Sequence, residues 1–293
     1  MDRYRLVTLP SFAKVNLTLD VRERLPNGYH LIQSVMQEIN LADEVTVCLT
    51  DEEGIRLECP GATVPEDSSN LAWTAAERFH ERLGTPPHLH ITLHKRIPAQ
   101  AGLGGGSSNA ATVLRALNIL YGYPFSPEQM RSIAISLGSD VPFFLQGGTA
   151  LVEGLGDVIT PLPVPLSYPL VIAVPSAGVS TAWAYEQIDR ERILSGIEEL
   201  PPPSTPAMVN ALHRGANWPS LLHNDFETVV LPANLPIQQL KANMVLSGAL
   251  AALLCGSGSA VMGVYSDERE AQRAALKLRR TGHRAWACTF HWR

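Results

Sequence analysis

Between Pro98 and Ala111 the chain reads PAQAGLGGGSSNAA, and an apolar helical pattern follows. Gly102, Gly104, Gly105 and Gly106 leave a backbone nearly without Cβ atoms, so its N–H groups can turn inward together. Ser107 and Ser108 add hydroxyl donors where the helix should begin. A helix start carries unpaired N–H groups and about half a positive charge, so phosphate is a natural guest there. A tight turn joining two elements is the alternative, although such a turn needs fewer glycines. No lysine follows Gly106, which excludes the G-x-x-x-x-G-K-[ST] loop, and the dinucleotide pattern would need glycine at Ser107 or Asn109. Ala110, Val113, Leu114, Leu117 and Tyr121 recur at a spacing of about 3.6 residues, predicting a one-sided apolar helix that Gly122 closes.

The bulk of the chain narrows the classes this loop can serve. Its 293 residues suffice for two domains of ordinary size, and 45% hydrophobic with 17% charged residues describes a soluble globular protein. A net charge of −5 and the lack of any basic run argue against a nucleic-acid partner. Cys48, Cys59, Cys255 and Cys288 form no C-x-x-C pair, which suits reduced thiols and a cytoplasmic location. The N-terminal MDRYRLVTLP has charges where a secretion signal would be apolar. The uncharged run from Met244 to Tyr265 is long enough to span a membrane, but Gly256, Ser257, Gly258 and Ser259 interrupt it. Two buried strands, or a helix and a strand, around a polar turn explain it better.

Strand and helix patterns alternate along the chain. FAKVNLTLDV, Phe12 to Val21, predicts a strand with Ala13, Val15, Leu17 and Leu19 toward a core and Lys14 and Asn16 on the other face. Pro26-Asn27-Gly28 predicts a turn into YHLIQSVMQEINL, and a further strand pair is expected at Glu44 to Leu49 and Gly54 to Cys59. Helices are expected from Asn70 to Leu83, with Leu71, Ala75, Phe79 and Leu83 inward, and from the Ser126-Pro127-Glu128-Gln129 capping box to Leu137. His88 to Leu93 predicts the strand before the glycine loop, and the prolines between Pro161 and Pro169 predict a linker or crossover. A short buried strand from Pro169 to Pro175 follows, then a mobile proline loop from Pro201 to Pro206. Asp267 and Glu270 cap a helix with Ala271, Ala274, Ala275 and Leu278 inward, and His283 to His291 is the last strand. The pattern predicts two α+β domains, 1–160 and 161–293.

A phosphate site that transfers phosphoryl groups also needs positive charge and a base. Asp140, in GSDVPFF, is the only carboxylate between Glu128 and Glu153, and its alternative role is to cap a short helix at Val141. The chain has only four lysines among 23 basic residues, and Lys14 and Lys95 flank the segments of interest. For Lys14 the alternative is a strand lysine that merely reaches for solvent. Tyr29 and His30 could stack on a base and pair with its edge, or be ordinary hairpin residues. His88, His90 and His94 share a strand face, but span more than about 13 Å, too far for one zinc ion. No metal held by the protein alone is expected.

AKVNLTLDVRERLPNGYH, LGGGSSNAATVL, SDVPFF and CGSGSAVMG occur in this order over nearly the whole chain, and together they resemble the GHMP kinase superfamily. The first of them is most similar to the branch acting on a cytidine-diphosphate-linked methylerythritol in the non-mevalonate isoprenoid route. The resemblance implies the two-domain GHMP fold, with a ribosomal-protein-like α+β nucleotide domain and a ferredoxin-like α+β substrate domain. It implies ATP with Mg²⁺ as cofactors and a small-molecule substrate carrying a cytidine diphosphate, bound between the domains, with no membrane partner. Asp140 would take the proton of the 2-hydroxyl, and Lys14 would stabilise the developing charge. Asn70, Lys95 and the loop residues Pro98, Ala99, Gln100, Ala101, Gly102, Leu103, Gly104, Gly105, Gly106, Ser107, Ser108 and Asn109 would bind ATP, with Ser107 or Ser108 near Mg²⁺. Asn16, Tyr29, His30, Thr181, Tyr185, Gly256, Ser257 and Gly258 would bind the substrate. Cys255 stands where the family more often has a hydroxyl residue, and PAQAG lacks glycines found in some relatives, so neither Cys255 nor Gln100 receives a defined contact. Alternatives are a homoserine or mevalonate type of GHMP kinase, whose substrates have no base to stack, and a non-catalytic nucleotide or metabolite sensor on the same fold.

Overall fold

A computed structural model describes residues 5–164, 166–197 and 199–292. Met1 to Tyr4, part of the segment read for a secretion signal, and Pro165 of the proline cluster lie outside them. Two long neighbouring strands open the chain, β1 (Leu6–Arg24) and β2 (His30–Leu49). The expected turn joins them: Gly28 has φ +86° and its N–H donates to Leu25 O at 2.9 Å. Each strand contributes residues to both of the compact units into which the chain divides. The units are therefore discontinuous in sequence, comprising 1–13, 41–99 and 104–147 in the first and 14–40, 100–103 and 148–293 in the second.

The first unit contains β3 (Gly54–Glu58), α1 (Leu71–Leu83), β4 (His88–His94), α2 (Gly105–Leu120), α3 (Pro127–Leu137) and α4 (Val141–Gln146). Glu44 to Leu49 is the end of the 20-residue β2 rather than a strand of its own, and it pairs antiparallel with β4. The strand pair expected from sequence does not form, because β4 lies between β2 and β3. The reason is polarity. Leu89, Ile91 and Leu93 of β4 are at most 1% exposed, whereas β3 carries Arg56 and Glu58, which an edge strand can leave in water.

Asn70 caps α1 by accepting from Ala72 N, and Gly84 closes it at φ +74°. Its buried stripe is Ala72, Ala75, Ala76, Phe79 and His80, turned by about one residue from the expected one, with Leu71 and Leu83 only partly covered. The capping box of α3 forms as expected. α2 departs most from expectation. Ala110, Ala111, Val113, Leu114, Ala116 and Leu117 are all 0% exposed, so the helix is covered around most of its circumference, with α1 and α4 against it. Small alanines on the side expected to be exposed let those neighbours approach.

In the second unit β5 (Thr149–Gly154) pairs with the first half of β2 and with β6 (Val158–Pro161). Next come β7 (Leu170–Val174), α5 (Thr181–Leu194), α6 (Thr205–His213), the two-residue β8 (His223–Asn224), α7 (Glu227–Ala233) and α8 (Leu235–Leu246). β9 (Ala251–Leu254), β10 (Val261–Val264), α9 (Glu268–Arg280) and β11 (Arg284–Cys288) complete it. The strand order β11-β7-β10-β9 is antiparallel throughout and is that of a ferredoxin-like split βαβ. The uncharged run, expected as two buried strands or a helix and a strand around a polar turn, is the end of α8 with β9 and β10 on either side of that turn, and no helix among the described residues is long and apolar enough to cross a membrane. All four α9 residues expected to face inward join Val171, Ala173, Leu254 and Val261 in the core.

The second half of the Pro201 to Pro206 loop is ordered as the start of α6, where Pro206 suits the first turn. Asp20 fixes this start, accepting from Ser204 N at 2.8 Å, Thr205 N at 2.9 Å and Thr205 Oγ1 at 2.6 Å. His223 lies between Asp20 and Asp225, with Nε2 2.8 Å from Asp225 Oδ1 and 3.7 Å from Asp20 Oδ1. The hydrogen bond to Asp225 raises the imidazole pKa above its usual 6.5, against the opposing effect of burial. A pKa raised in the folded state stabilises fully below the unfolded value and loses that contribution as pH rises through the folded value. The melting temperature of the wild type should therefore exceed that of His223→Gln most below pH 6.5, and the gap should close as pH rises. A pH-independent gap in calorimetry would contradict this.

Candidate active site

The glycine loop ends in the first unit at the start of α2, where Gly104 takes the N-cap position at φ +70°. The N–H groups of Gly105, Gly106 and Ser107 follow, and the first turn of a helix has no acceptors for such groups. The helix start is held by a buried polar network. Asp43 Oδ1 accepts from Arg96 N at 2.6 Å and Ile97 N at 2.8 Å, while its Oδ2 accepts from Lys95 Nζ and, at 2.9 Å, from Asn109 Nδ2. Lys95 also donates to Asn109 Oδ1 at 2.7 Å, and Asn109 reaches Ser11 Oγ at 2.9 Å. Ser11 in turn donates to Ser108 Oγ at 2.8 Å. Lys95, Asn109 and Ser108 thus brace the loop from below. Ser107 is half-buried and Gly106 exposed, so they present the open side, whereas Ser108 is 1% exposed. Asn70 uses both ends of its amide, on Ala72 N and Pro65 O. Pro98 is buried and Ala99 exposed.

Asp140 precedes α4 in the N-cap position, but its backbone is helical (φ −83°, ψ −16°) and its side chain makes no capping hydrogen bond. Capping is therefore not what this carboxylate does. It is half-buried at the start of the helix that carries the core residues Phe143 and Phe144.

In the second unit, segment 100–103 is fastened at two points. Ala260 N donates to Ala101 O at 3.1 Å, and Lys14 N donates to Leu103 O at 3.0 Å. Gln100 has φ +53° and is exposed. Gly102 has φ +77°, and a Cβ there would lie 1.9 Å from Cys255 O and 3.2 Å from Gly258 O. The glycine is needed for this contact between two backbones. Gly102→Ala combines a left-handed backbone with steric overlap, and we expect it to destabilise the protein by about 2–5 kcal/mol, read from denaturant midpoints. An unchanged midpoint would show that the two loops separate freely.

The turn 255–260 is held from behind by Asn224, whose Nδ2 donates to Leu254 O and Gly256 O, both at 2.8 Å. Gly256 (φ +53°) and Gly258 (φ +101°) flank Ser257. Cys255 is 1% exposed, and burial pushes its thiol up to about 12 despite the nearby Lys14 charge, so it is no nucleophile. All four cysteines are unpaired.

Both faces of β1 are buried here, so Lys14 does not reach for solvent: it is 4% exposed and Asn16 1%. Lys14 Nζ donates to Asn16 Oδ1 at 2.8 Å, and Asn16 Nδ2 donates to Ser34 Oγ at 2.8 Å. Ser34 Oγ passes its own hydrogen to Thr18 O at 2.6 Å. The Lys14 ammonium also lies beside Gly256, where a Cβ would come within 3.6 Å of it.

Tyr29 and His30 differ sharply. Tyr29 is 67% exposed, whereas His30 is 7% exposed and stacks on Tyr185 with ring centroids 4.9 Å apart and planes 18° from parallel. Phe226 meets Tyr185 edge-on at 4.9 Å. Thr181, at the start of α5, shares a hydrogen bond of 2.8 Å with Ser257. The structure thus brings His30 to Tyr185 and Thr181 to Ser257. Sequence reasoning missed Ser11, Ser34, Asp43, Asp189 and Asn224. Only the polar Asn224-Asp225 pair, beside the apolar Phe226, offered a local signal for a buried side chain.

The model for the GHMP kinases N terminal domain matches residues 70–148, and that for the GHMP kinases C terminal matches residues 208–284. The chain is 40% identical over 274 residues to the 4-diphosphocytidyl-2-C-methyl-D-erythritol kinase of Geobacter sulfurreducens, covering 93% of this chain and 95% of that one. It is also 40% identical over 278 residues to the enzyme of that name from Moorella thermoacetica, covering 94% and 96%. A crystal structure of a 4-(cytidine 5'-diphospho)-2C-methyl-D-erythritol kinase superposes with a TM-score of 0.82 at 34% identity, over 98% of this chain and 100% of that one. A homoserine kinase from Cytophaga hutchinsonii, at 19% identity and a TM-score of 0.75 over 99% and 96%, shares the fold. The chain is an ATP-dependent kinase and belongs to the 4-diphosphocytidyl-2-C-methyl-D-erythritol kinase family of the GHMP kinases.

Proposed function

We propose that this kinase transfers the γ-phosphoryl group of ATP to the 2-hydroxyl of 4-diphosphocytidyl-2-C-methyl-D-erythritol, in the cytoplasm. The observation that carries the reading is the stacked His30–Tyr185 pair, with exposed Tyr29 next to it in sequence and Thr181 one turn before Tyr185 on α5. Two aromatic residues and an imidazole suit a flat heterocycle with a polar edge. Homoserine and mevalonate offer no such ring, so a kinase for either has no use for the pair.

In the reaction, Asp140 accepts the proton of the 2-hydroxyl while its oxygen bonds to the γ-phosphorus. The bond from that phosphorus to the β–γ bridging oxygen breaks, and ADP leaves. Lys14, its position fixed through Asn16, stabilises the charge on the transferring group. The first-turn N–H groups of α2 and the Ser107 hydroxyl receive the triphosphate. Hydroxyl and phosphate oxygens are the donors that a hard, partly hydrated cation takes, so Ser107, on the open side of the loop, would hold Mg²⁺ together with the nucleotide, whereas Ser108 is buried against Ser11. When bound, Mg²⁺ neutralises charge on the β- and γ-phosphates.

The test is ADP release with ATP, Mg²⁺ and each of three acceptors: the cytidylated methylerythritol, homoserine and mevalonate. Turnover with the first alone is expected. Turnover with either of the others at a comparable kcat/KM would overturn the substrate assignment.

A further inference from the structure

α5 presents Thr181, Tyr185 and Asp189 four residues apart, on one face at successive turns. Tyr185 stacks on the His30 ring, and one turn further Asp189 Oδ1 lies 2.7 Å from His30 Nε2. The other carboxylate oxygen of Asp189 faces Arg24 Nη1 at 3.5 Å. The His30 side chain is 3% exposed and that of Asp189 is 23% exposed, so one ring nitrogen is committed to a sheltered carboxylate.

We propose that Asp189 is the positioning residue that makes this site read an amino-pyrimidine and reject an oxo-pyrimidine. The inference rests on the cytidine reading of the site given above. A carboxylate only accepts hydrogen bonds, so a neutral His30 facing Asp189 carries its hydrogen on Nε2. Nδ1 then keeps a lone pair and is an acceptor. Among the described residues the only hydrogen bond of the His30 ring is the one from Nε2, and Nδ1 is not a fully buried atom, so Nδ1 remains open to a ligand. Cytosine presents the N4 amino group, a donor, at the position where uracil presents the O4 acceptor. An acceptor at Nδ1 satisfies the first and opposes the lone pairs of the second. Tyr185 supplies the stack that holds the imidazole plane, and Asp189 decides which of its nitrogens carries hydrogen. The discrimination therefore comes from a residue that need not touch the base.

Asp189→Asn keeps the shape but replaces an obligate acceptor with an amide that can also donate to Nε2. His30 can then carry its hydrogen on Nδ1, which suits O4. Binding of CDP and of UDP to the full chain, by calorimetry, reads the effect. The wild type should bind CDP at least about tenfold more tightly than UDP, and Asp189→Asn should bring the two within about threefold. Asp189→Glu should recover part of the preference. Long-range ¹H–¹⁵N spectra of the imidazole rings provide a check that needs no variant, with His30 expected to be protonated on Nε2. A hydrogen on Nδ1 in the wild type would overturn the proposal, as would an unchanged CDP-to-UDP ratio in Asp189→Asn. Those outcomes leave the cytidine reading intact. Failure of the wild type to bind CDP would instead remove that reading, and the role of Asp189 with it.

Discussion

Asp140→Asn should lower kcat for phosphoryl transfer by about 10²–10⁴-fold while leaving the melting temperature essentially unchanged. The magnitude is what a positioned general base contributes. The stability should hold because the amide has the same shape as the carboxylate and suits the start of a helix about as well. A helix cap would leave activity intact as well as stability, because asparagine caps about as well as aspartate. Rates of ADP release separate the two, and a thermal melt on the same preparation shows that the variant is folded. A variant within about tenfold of wild-type kcat would remove Asp140 from the base role.

Asp43→Ala should destabilise the protein by about 3–5 kcal/mol. The substitution leaves Lys95 buried, with a side chain 9% exposed and its carboxylate partner gone. It also strips the acceptor from Arg96 N, Ile97 N and Asn109 Nδ2. Removing both ends of a buried ion pair is commonly far milder than removing one. Asp43→Ala with Lys95→Met should therefore recover part of the loss, and denaturant unfolding of the two variants measures the difference. Equal stabilities would mean that the Lys95 charge finds water once Asp43 is gone.

Where fold and site are governed by neighbours in sequence, the chain reads clearly. Ser126, Pro127 and Gln129 form their capping box within four residues, and α9 shows its alanine stripe because one face meets water. α2 misleads for the converse reason: a covered helix has no polar face to give periodicity, and alanine is compatible with either side. β2 reads as two strands because nothing in its 20 residues marks how far a ladder extends. The site divides in the same way. The glycine loop and GSDVPFF are contiguous and can be found by eye. Asp43 and Lys95 are 52 residues apart, and His30 and Asp189 are 159 apart, so no local pattern couples them. Buried polar pairs of this kind are specified by topology and become visible only once strands and helices are assembled.

The chain of hydrogen bonds from Lys14 through Asn16 and Ser34 to the Thr18 carbonyl has a further meaning. A free lysine side chain samples many rotamers, and freezing it costs about 2 kcal/mol of entropy. Here the freezing occurs once, when the strand forms, and is not repeated at each encounter with a substrate. The Lys14 ammonium is thus a fixed charge of the scaffold, closer in behaviour to a backbone dipole than to a surface lysine.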